Sequence, residues 1–344
     1  MGGQEVAPVG VTAARQARVR AGFLFAVLAG ALSLGGCISL PQTDALREAP
    51  PQGLPPRVEL TQVPFHQQDD FLCGPATLAM VFNAAGVKAD VESVTPLVYL
   101  PGRKGSLQAE MLGATRRSGL VAYNLAPRLE DLLREVAAGT PVVVLLNLAL
   151  KWAPVWHYAV IVGYDLEKRE VIARSAGRAR DEWSFGFLEY FWQESDYWSM
   201  LALPPGRVPA TAREAEFALA VAALEQAGRA REARESYRAL LERWPENLLG
   251  LIGLGNVEYG LKDLAAAERA FRRASVAHPK SAVAFNNLAH VLAALGRLEE
   301  AESAARGAIA LEGPTLPQAR GTLEAILKQR AAPLGGKTGP LPPS

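Results

Sequence analysis

The stretch QQDDFLCGPATLAM, residues 67–80, decides the interpretation of the first folded region. Cys73 stands directly before Gly-Pro and an Ala- and Leu-rich run. Proline is favourable in the first turn of a helix because its missing N–H has no partner there. We therefore predict a helix that begins just after Cys73. Its positive end would stabilise a thiolate and lower the pKa of the Cys73 thiol.

A nucleophilic cysteine needs a base and a donor for the oxyanion, and the sequence offers candidates for both. His157 opens the aliphatic run HYAVIVGYD, which indicates a buried strand that could hold the imidazole towards the helix start. Gln67 and Gln68 precede Cys73, and either amide could donate to an oxyanion beside the Cys73 backbone N–H. Gly74 leaves room for a substrate carbonyl at this elbow. These residue types favour nucleophilic chemistry at Cys73.

The pattern around these residues is helical first and strand-like afterwards. Helical segments are predicted at residues 75–85, 106–119 and 128–139, and short β-branched runs predict strands at 141–150, 157–165 and 169–175. Helices followed by a sheet indicate an α+β domain, to which we assign residues 58–205.

Two motifs carry a family resemblance. The sequence Q…CGPA followed by HYAVIVGYD resembles the C39-like cysteine peptidases, which are papain-like, over about residues 63–203. The resemblance implies a papain-like α+β fold in which Cys73 is the nucleophile and His157 is the general base and later acid. The papain-like spacing selects Gln67 as the oxyanion donor, whereas an alignment through VPF selects Gln68. Both glutamines remain candidates.

The resemblance also implies a third site residue. C39 peptidases usually place Asp or Asn at the end of the strand after the histidine, where it orients the imidazole. Here that strand ends IARSAGR, and Ser175 occupies the approximate position. A hydroxyl orients the ring more weakly than a carboxylate does. The implied activity is thiol-dependent peptide hydrolysis, and the alternative is a C39-like module that binds a peptide without cutting it.

The second half of the chain is repetitive. Pro245 and Pro279 are 34 residues apart, and three further sets of positions follow the same period: Ala233, Ala267 and Ala301; Phe217, Leu251 and Phe285; Tyr237 and Phe271. This pattern resembles the tetratricopeptide repeat. It implies an all-α solenoid over residues 211–330, ending in a helix at 317–329, whose surface would bind a peptide or protein partner. Residues 331–344 are expected to be a disordered tail.

The N-terminal region resembles that of a bacterial lipoprotein. Arg15, Arg18 and Arg20 precede a short apolar stretch that ends in LGGC at Cys37. The resemblance implies a signal peptide over residues 1–36, acylation of Cys37 and a proline-rich tether over residues 37–57. Ile38 follows the cysteine in place of the Asp that retains Gram-negative lipoproteins in the inner membrane. We therefore expect a membrane-anchored protein that faces the periplasm from the outer membrane.

Composition excludes several other classes. Thirty-six basic and 35 acidic residues give a net charge of +1, and no basic run exceeds three residues, so we expect no nucleic-acid partner. Two cysteines and four scattered histidines provide no disulfide framework and no metal-ligand spacing. We expect neither a metal nor another cofactor.

Two groups near the candidate site keep alternative interpretations. Five tryptophans fall between Trp152 and Trp198, and we expect them to pack beneath the sheet, with a substrate groove as the alternative. The RKGS loop, residues 103–106, is either a solvated loop or a contact for a substrate carboxylate.

Overall fold

The computed structural model of the chain describes residues 39–67 and 71–331. The predictions for the signal peptide, Cys37, Gln68 and residues 332–344 therefore lie outside the described residues. Within the described residues, no helix is long and apolar enough to cross a membrane.

The first domain combines one antiparallel sheet with helices. Its helices are α1 Pro41–Glu48, α2 Cys73–Ala84, α3 Val91–Val98, α4 Gln108–Arg117, α5 Leu129–Ala137 and α6 Phe185–Trp192. Its strands are β1 Arg57–Glu59, β2 Val121–Asn124, β3 Val142–Asn147, β4 Trp156–Asp165, β5 Glu170–Ser175, β6 Arg178–Ser184 and β7 Ser199–Leu203. The architecture confirms the predicted α+β class.

The sheet order places the candidate site at its centre. The order is β2-β7-β3-β4-β5-β6, with β1 added to β4, and every pairing is antiparallel. Helix α2 packs on β4 and is buried from Gly74 to Phe82. A helix enclosed on all sides needs apolar residues all round, which explains its continuous apolar sequence.

The predicted tether is structured in part. Residues 41–48 form α1, within the segment 37–57 that was expected to act as a proline-rich tether. The backbone N–H groups of Gln42 and Thr43 donate to the buried carboxylate of Glu189 at 2.9 and 2.6 Å. An acidic acceptor at a helix N-terminus satisfies donors that have no intrahelical partner. This distant acceptor is the physical reason that composition alone missed α1.

The second domain is a series of helical hairpins. Its helices are α7 Glu214–Gln226, α8 Ala230–Arg243, α9 Leu248–Gly260, α10 Leu264–Ala277, α11 Ala282–Ala294, α12 Leu298–Ala310 and α13 Leu316–Ala331. The periodic alanines Ala233, Ala267 and Ala301 are fully buried, as close helix packing requires. A Cβ at Gly253 would lie 2.1 Å from the Tyr237 ring, so the aromatic position fills the space against the next hairpin. The predicted solenoid is confirmed.

A set of specific contacts joins the two domains. The Tyr123 and Phe217 ring centroids are 6.2 Å apart in an edge-on arrangement, and the Arg213 N–H donates to the Tyr123 hydroxyl at 3.2 Å. The buried Glu135 carboxylate accepts the Thr211 N–H and hydroxyl, each at 2.7 Å. The segment that connects the two domains is therefore hydrogen-bonded to residues of the first domain.

Candidate active site

Cys73 is the first residue of α2. Leu72 precedes it as the N-cap and provides no side-chain cap. One turn further on, the Thr77 hydroxyl donates to the Tyr158 carbonyl of β4 at 3.4 Å. Phe71 has a φ of +68°, an uncommon backbone conformation for a bulky residue. The thiol is thus placed where a tight entry into α2 meets the beginning of β4.

His157 lies on β4 opposite Leu146 of β3. Its Nε2 is hydrogen-bonded to the Ser175 hydroxyl at 2.8 Å. Between Ala173 and Ser175 the β5–β6 register shifts, an irregularity of the kind that redirects side chains near functional sites. The structure therefore places the Ser175 hydroxyl against Nε2, so Nδ1 is the ring nitrogen that this hydrogen bond does not use.

Cys73 and His157 line the same cleft. This cleft has a volume of about 730 Å³, within the range of cavities that bind small ligands and short peptide segments. Ser106 and Tyr158 also line it. The Tyr158 hydroxyl donates to the Ser106 carbonyl at 3.3 Å, which joins β4 to the segment before α4.

Burial shifts the pKa of both the Cys73 thiol and the His157 imidazole. It raises the pKa of the Cys73 thiol, although the backbone N–H groups of Tyr158, Gly74 and Cys73 act in the opposite direction. The expectation of a lowered thiol pKa was therefore wrong, because desolvation outweighs the helix-start donors. Burial also lowers the pKa of His157. Near neutral pH the site holds a thiol and a neutral imidazole.

The remaining predicted site residues are the two glutamines proposed as oxyanion donors. Gln67 is exposed and is not among the described residues that line the cleft, and Gln68 lies outside the described residues.

Sequence reasoning noted the loop that contains Ser106, but it missed how Ser106 and Asn147 shape the cleft. Ser106 presents a buried hydroxyl without a hydrogen-bond partner in the structure, and a Cβ on Gly74 would lie 2.3 Å from that oxygen. Asn147 ends β3 and accepts N–H groups of the loop that follows. No local motif marks either residue, because each role depends on contacts between distant segments.

The tryptophans divide between the two proposed roles. Trp183 and Trp192 are buried, as expected for packing against the sheet. Trp152 and Trp156, in contrast, are 82% and 49% exposed, and Trp156 lines the cleft. The packing interpretation was therefore wrong for these two residues, because the segment after β3 extends beyond the core.

No group of three or more His, Cys, Asp or Glu residues suited to a metal ion occurs in the ranges 39–67 and 71–331.

Family comparisons agree with the two-domain architecture. Residues 60–197 match the Peptidase_C39 like family, and residues 217–282 and 253–317 match the tetratricopeptide repeat. No curated protein matches the chain.

Solved structures similar to the chain represent both domains. A C39-like peptidase from Bacillus anthracis is 18% identical, with coverage of 43% of this chain and 97% of that one and a TM-score of 0.36. The first TPR domain of human RPAP3 is 24% identical, with coverage of 33% and 93% and a TM-score of 0.32. The Yersinia enterocolitica chaperone SycD, in complex with a peptide of the translocator YopD, is 21% identical, with coverage of 34% and 93% and a TM-score of 0.32.

Proposed function

Because residues 60–197 form a C39-like peptidase domain and residues 217–317 form tetratricopeptide repeats, we propose that the chain is a cysteine peptidase with a Cys73–His157 site. The observation that carries this proposal is the cleft shared by Cys73 and His157, together with the hydrogen bond between His157 Nε2 and the Ser175 hydroxyl. A nucleophile, a base and a residue that orients the base are the parts that acyl transfer needs.

The protonation states suggest how the reaction begins. When His157 Nε2–H donates to Ser175 Oγ, the Nδ1 lone pair is available to accept a proton. The Cys73 sulfur attacks the peptide carbonyl carbon as its proton passes to Nδ1. This order suits a buried thiol with a raised pKa and a histidine with a lowered one.

The remaining steps return the site to its initial state. His157 donates the proton to the leaving amine, the carbon–nitrogen bond breaks, and a thioester remains on Cys73. Water then attacks the thioester while His157 removes its proton, and the thiol is regenerated as the carboxylic acid leaves. The Cys73 backbone N–H would stabilise the oxyanion, and Gln68 is the remaining glutamine candidate for a second donor.

Cleavage of a peptide mixture tests the proposal. The full chain is incubated with a proteome-derived peptide mixture, and new termini are quantified by mass spectrometry. We expect Cys73→Ala and His157→Ala to reduce cleavage by about a thousandfold or more, since each removes a reacting group. His278→Ala is the matched control because His278 lies in the second domain, where it contacts the Glu246 carbonyl. Equal cleavage by all variants would refute the assignment.

A second candidate function is peptide binding without hydrolysis. The observation that favours it is Ser175, whose hydroxyl neither fixes the imidazole tautomer nor stabilises its positive charge as a carboxylate would. In the same experiment, peptides that remain intact but bind the wild-type chain and Cys73→Ala equally would support this alternative.

The repeats and the N-terminal region extend the proposal. The solenoid provides a surface for a protein partner or for the substrate itself, and disruption of that surface should weaken cleavage of long substrates more than of short peptides. Acylation of Cys37 would hold the chain at the outer membrane, facing the periplasm. Incorporation of a clickable palmitate analogue in a Gram-negative host tests this anchor, and Cys37→Ala should abolish the label.

A further inference from the structure

An ordered hairpin extends from the end of β3 beside the cleft. Asn147, only 2% exposed, accepts the N–H groups of Ala149 and Val155 at 3.2 and 3.0 Å through its side-chain oxygen. The Leu148 N–H donates to the Val155 carbonyl at 2.9 Å, and the Ala153 N–H donates to the Leu150 carbonyl at 2.9 Å. A buried amide and two backbone hydrogen bonds therefore support the shape of this loop.

The side chains that this hairpin presents are apolar and exposed. They are Leu148, Leu150, Trp152, Val155 and Trp156, and we call them the apolar wall. Leu148, Val155 and Trp156 line the cleft beside Cys73 and His157. Apolar surface left in water costs roughly 25 cal/mol per Å², and a contiguous exposed patch of this kind is typical of an interaction site.

A second loop adds positive charge to the same cleft. Arg103 and Lys104 line it, and no described residue of the lining is an Asp or Glu. Two hydrogen bonds close this loop. The Leu100 N–H donates to the Gly105 carbonyl and the Arg103 N–H donates to the Leu100 carbonyl, each at 2.9 Å. The Lys104 ammonium lies 5.5 Å from the Phe71 ring centroid. Among the described residues, no carboxylate forms an ion pair with Arg103 or Lys104.

We propose that the cleft selects an extended peptide segment in which apolar side chains adjoin a carboxylate. The apolar wall would take the apolar side chains, and Arg103 and Lys104 would take the carboxylate. This inference rests on the proposed function for turnover, but not for binding. A peptide is favoured over a lipid surface because the cations and three wall residues line a concave cleft that also contains Cys73 and His157.

Binding to the full-length Cys73→Ala chain separates recognition from cleavage. The probes are fluorescent octapeptides with two adjacent leucines followed by Glu, Gln or Lys, and a fourth in which Ser replaces both leucines before Glu. Anisotropy titrations in 50 mM salt measure Kd. We expect the Glu peptide to bind about tenfold more tightly than the Gln peptide, and the Ser-substituted and Lys peptides to bind most weakly.

Two cleft variants and one control show which residues cause the peptide selectivity. In the Cys73→Ala chain, the further substitutions Arg103→Gln and Lys104→Gln should remove the preference for the Glu peptide. Trp156→Ala in the same chain should weaken the binding of every leucine-containing peptide. Lys168→Gln is the matched control because Lys168 is exposed on the β4–β5 turn and does not line the cleft. Equal Kd values for the Glu, Gln and Lys peptides would overturn the inference.

The outcomes also distinguish this inference from the proposed function. Selective binding of the Glu peptide by Cys73→Ala, without hydrolysis by the wild-type chain, would refute the peptidase and retain the selectivity. Hydrolysis by the wild-type chain with no preference among the Glu, Gln and Lys peptides would support the peptidase and refute the selectivity. Binding to phosphatidylglycerol vesicles that is lost in Trp152→Ala, without selective peptide binding, would overturn the inference in favour of a lipid surface.

Discussion

In the proposed mechanism, Ser175 is the residue that sets how well the His157 imidazole performs as a base. Its hydroxyl can either donate to His157 Nε2 or accept from it, so it does not impose the tautomer in which Nδ1 is free. A carboxylate can only accept when ionised, and it stabilises the imidazolium. We therefore expect Ser175→Asp to raise the pKa of His157 and to favour proton transfer from Cys73.

The pH dependence of kcat/KM measures this effect. His157 must be neutral to accept the proton, and burial lowers its pKa from the ordinary value of 6.5. The activity of the wild-type chain should therefore persist below pH 6.5 and fall at a lower pH. In Ser175→Asp this acid limb should move to higher pH, whereas Ser175→Ala should lower kcat/KM about fivefold through loss of one hydrogen bond. An acid limb unchanged in Ser175→Asp would contradict the role assigned to Ser175.

At the scale of elements, the starts of α2 and α4 meet where Gly74 faces Ser106. A Cβ on Gly74 would lie 2.3 Å from Ser106 Oγ and 2.7 Å from Ser106 Cβ. Gly74→Ala should therefore destabilise the chain by about 1–3 kcal/mol, the usual cost of overpacking, even though alanine is the better helix former. Urea denaturation measures the change in the free energy of unfolding.

A double-mutant cycle shows whether the clash is the cause. Ser106→Gly removes both contacting atoms and keeps the carbonyl that Tyr158 uses. In that background Gly74→Ala should be neutral or slightly stabilising, so the coupling energy should nearly equal the cost of the single substitution. Equal destabilisation in both backgrounds would show that the contact with Ser106 is not the cause.

Elements with a strong local pattern could be predicted from the sequence. The continuous aliphatic sequences of β3 and β4 indicate strands, and the small-residue run after Cys73 indicates α2. Strand β6 has the sequence RARDEWS and is largely exposed, so no apolar alternation marks it. It forms because β5 offers a free edge, which is information that a local pattern does not contain.

Family motifs in the sequence predicted the three residues Cys73, His157 and Ser175 of the candidate site, but not its other properties. Cys73 and His157 occur in recognisable sequence contexts, and Ser175 could be located by counting to the end of the next strand. The sign of the thiol pKa shift was not predictable, because it depends on how deeply neighbouring segments bury the sulfur. Arg103 and Lys104 were noticed, but only the folded cleft brings them beside the apolar wall.

At the scale of the whole molecule, buried carboxylates hold connecting segments against the first domain. Glu189 accepts two N–H groups at the start of α1, and Glu135 accepts donors from the segment that leads to α7. Arg213 at the end of that segment also bonds to Tyr123. The repeats therefore begin from a fixed point, so a partner bound on them would have a defined position relative to the cleft.

Glu135→Ala tests whether this junction is fixed by the buried carboxylate. The substitution leaves the Thr211 N–H and hydroxyl and the Ala210 N–H without their acceptor, at a cost of about 2–3 kcal/mol. Limited proteolysis should then cut between residues 204 and 213 faster than in the wild-type chain. Glu130→Ala is the control, because Glu130 lies on the same helix but pairs with Arg134 at the surface. Unchanged cleavage in Glu135→Ala would show that the remaining contacts, among them that between Tyr123 and Phe217, hold the junction without Glu135.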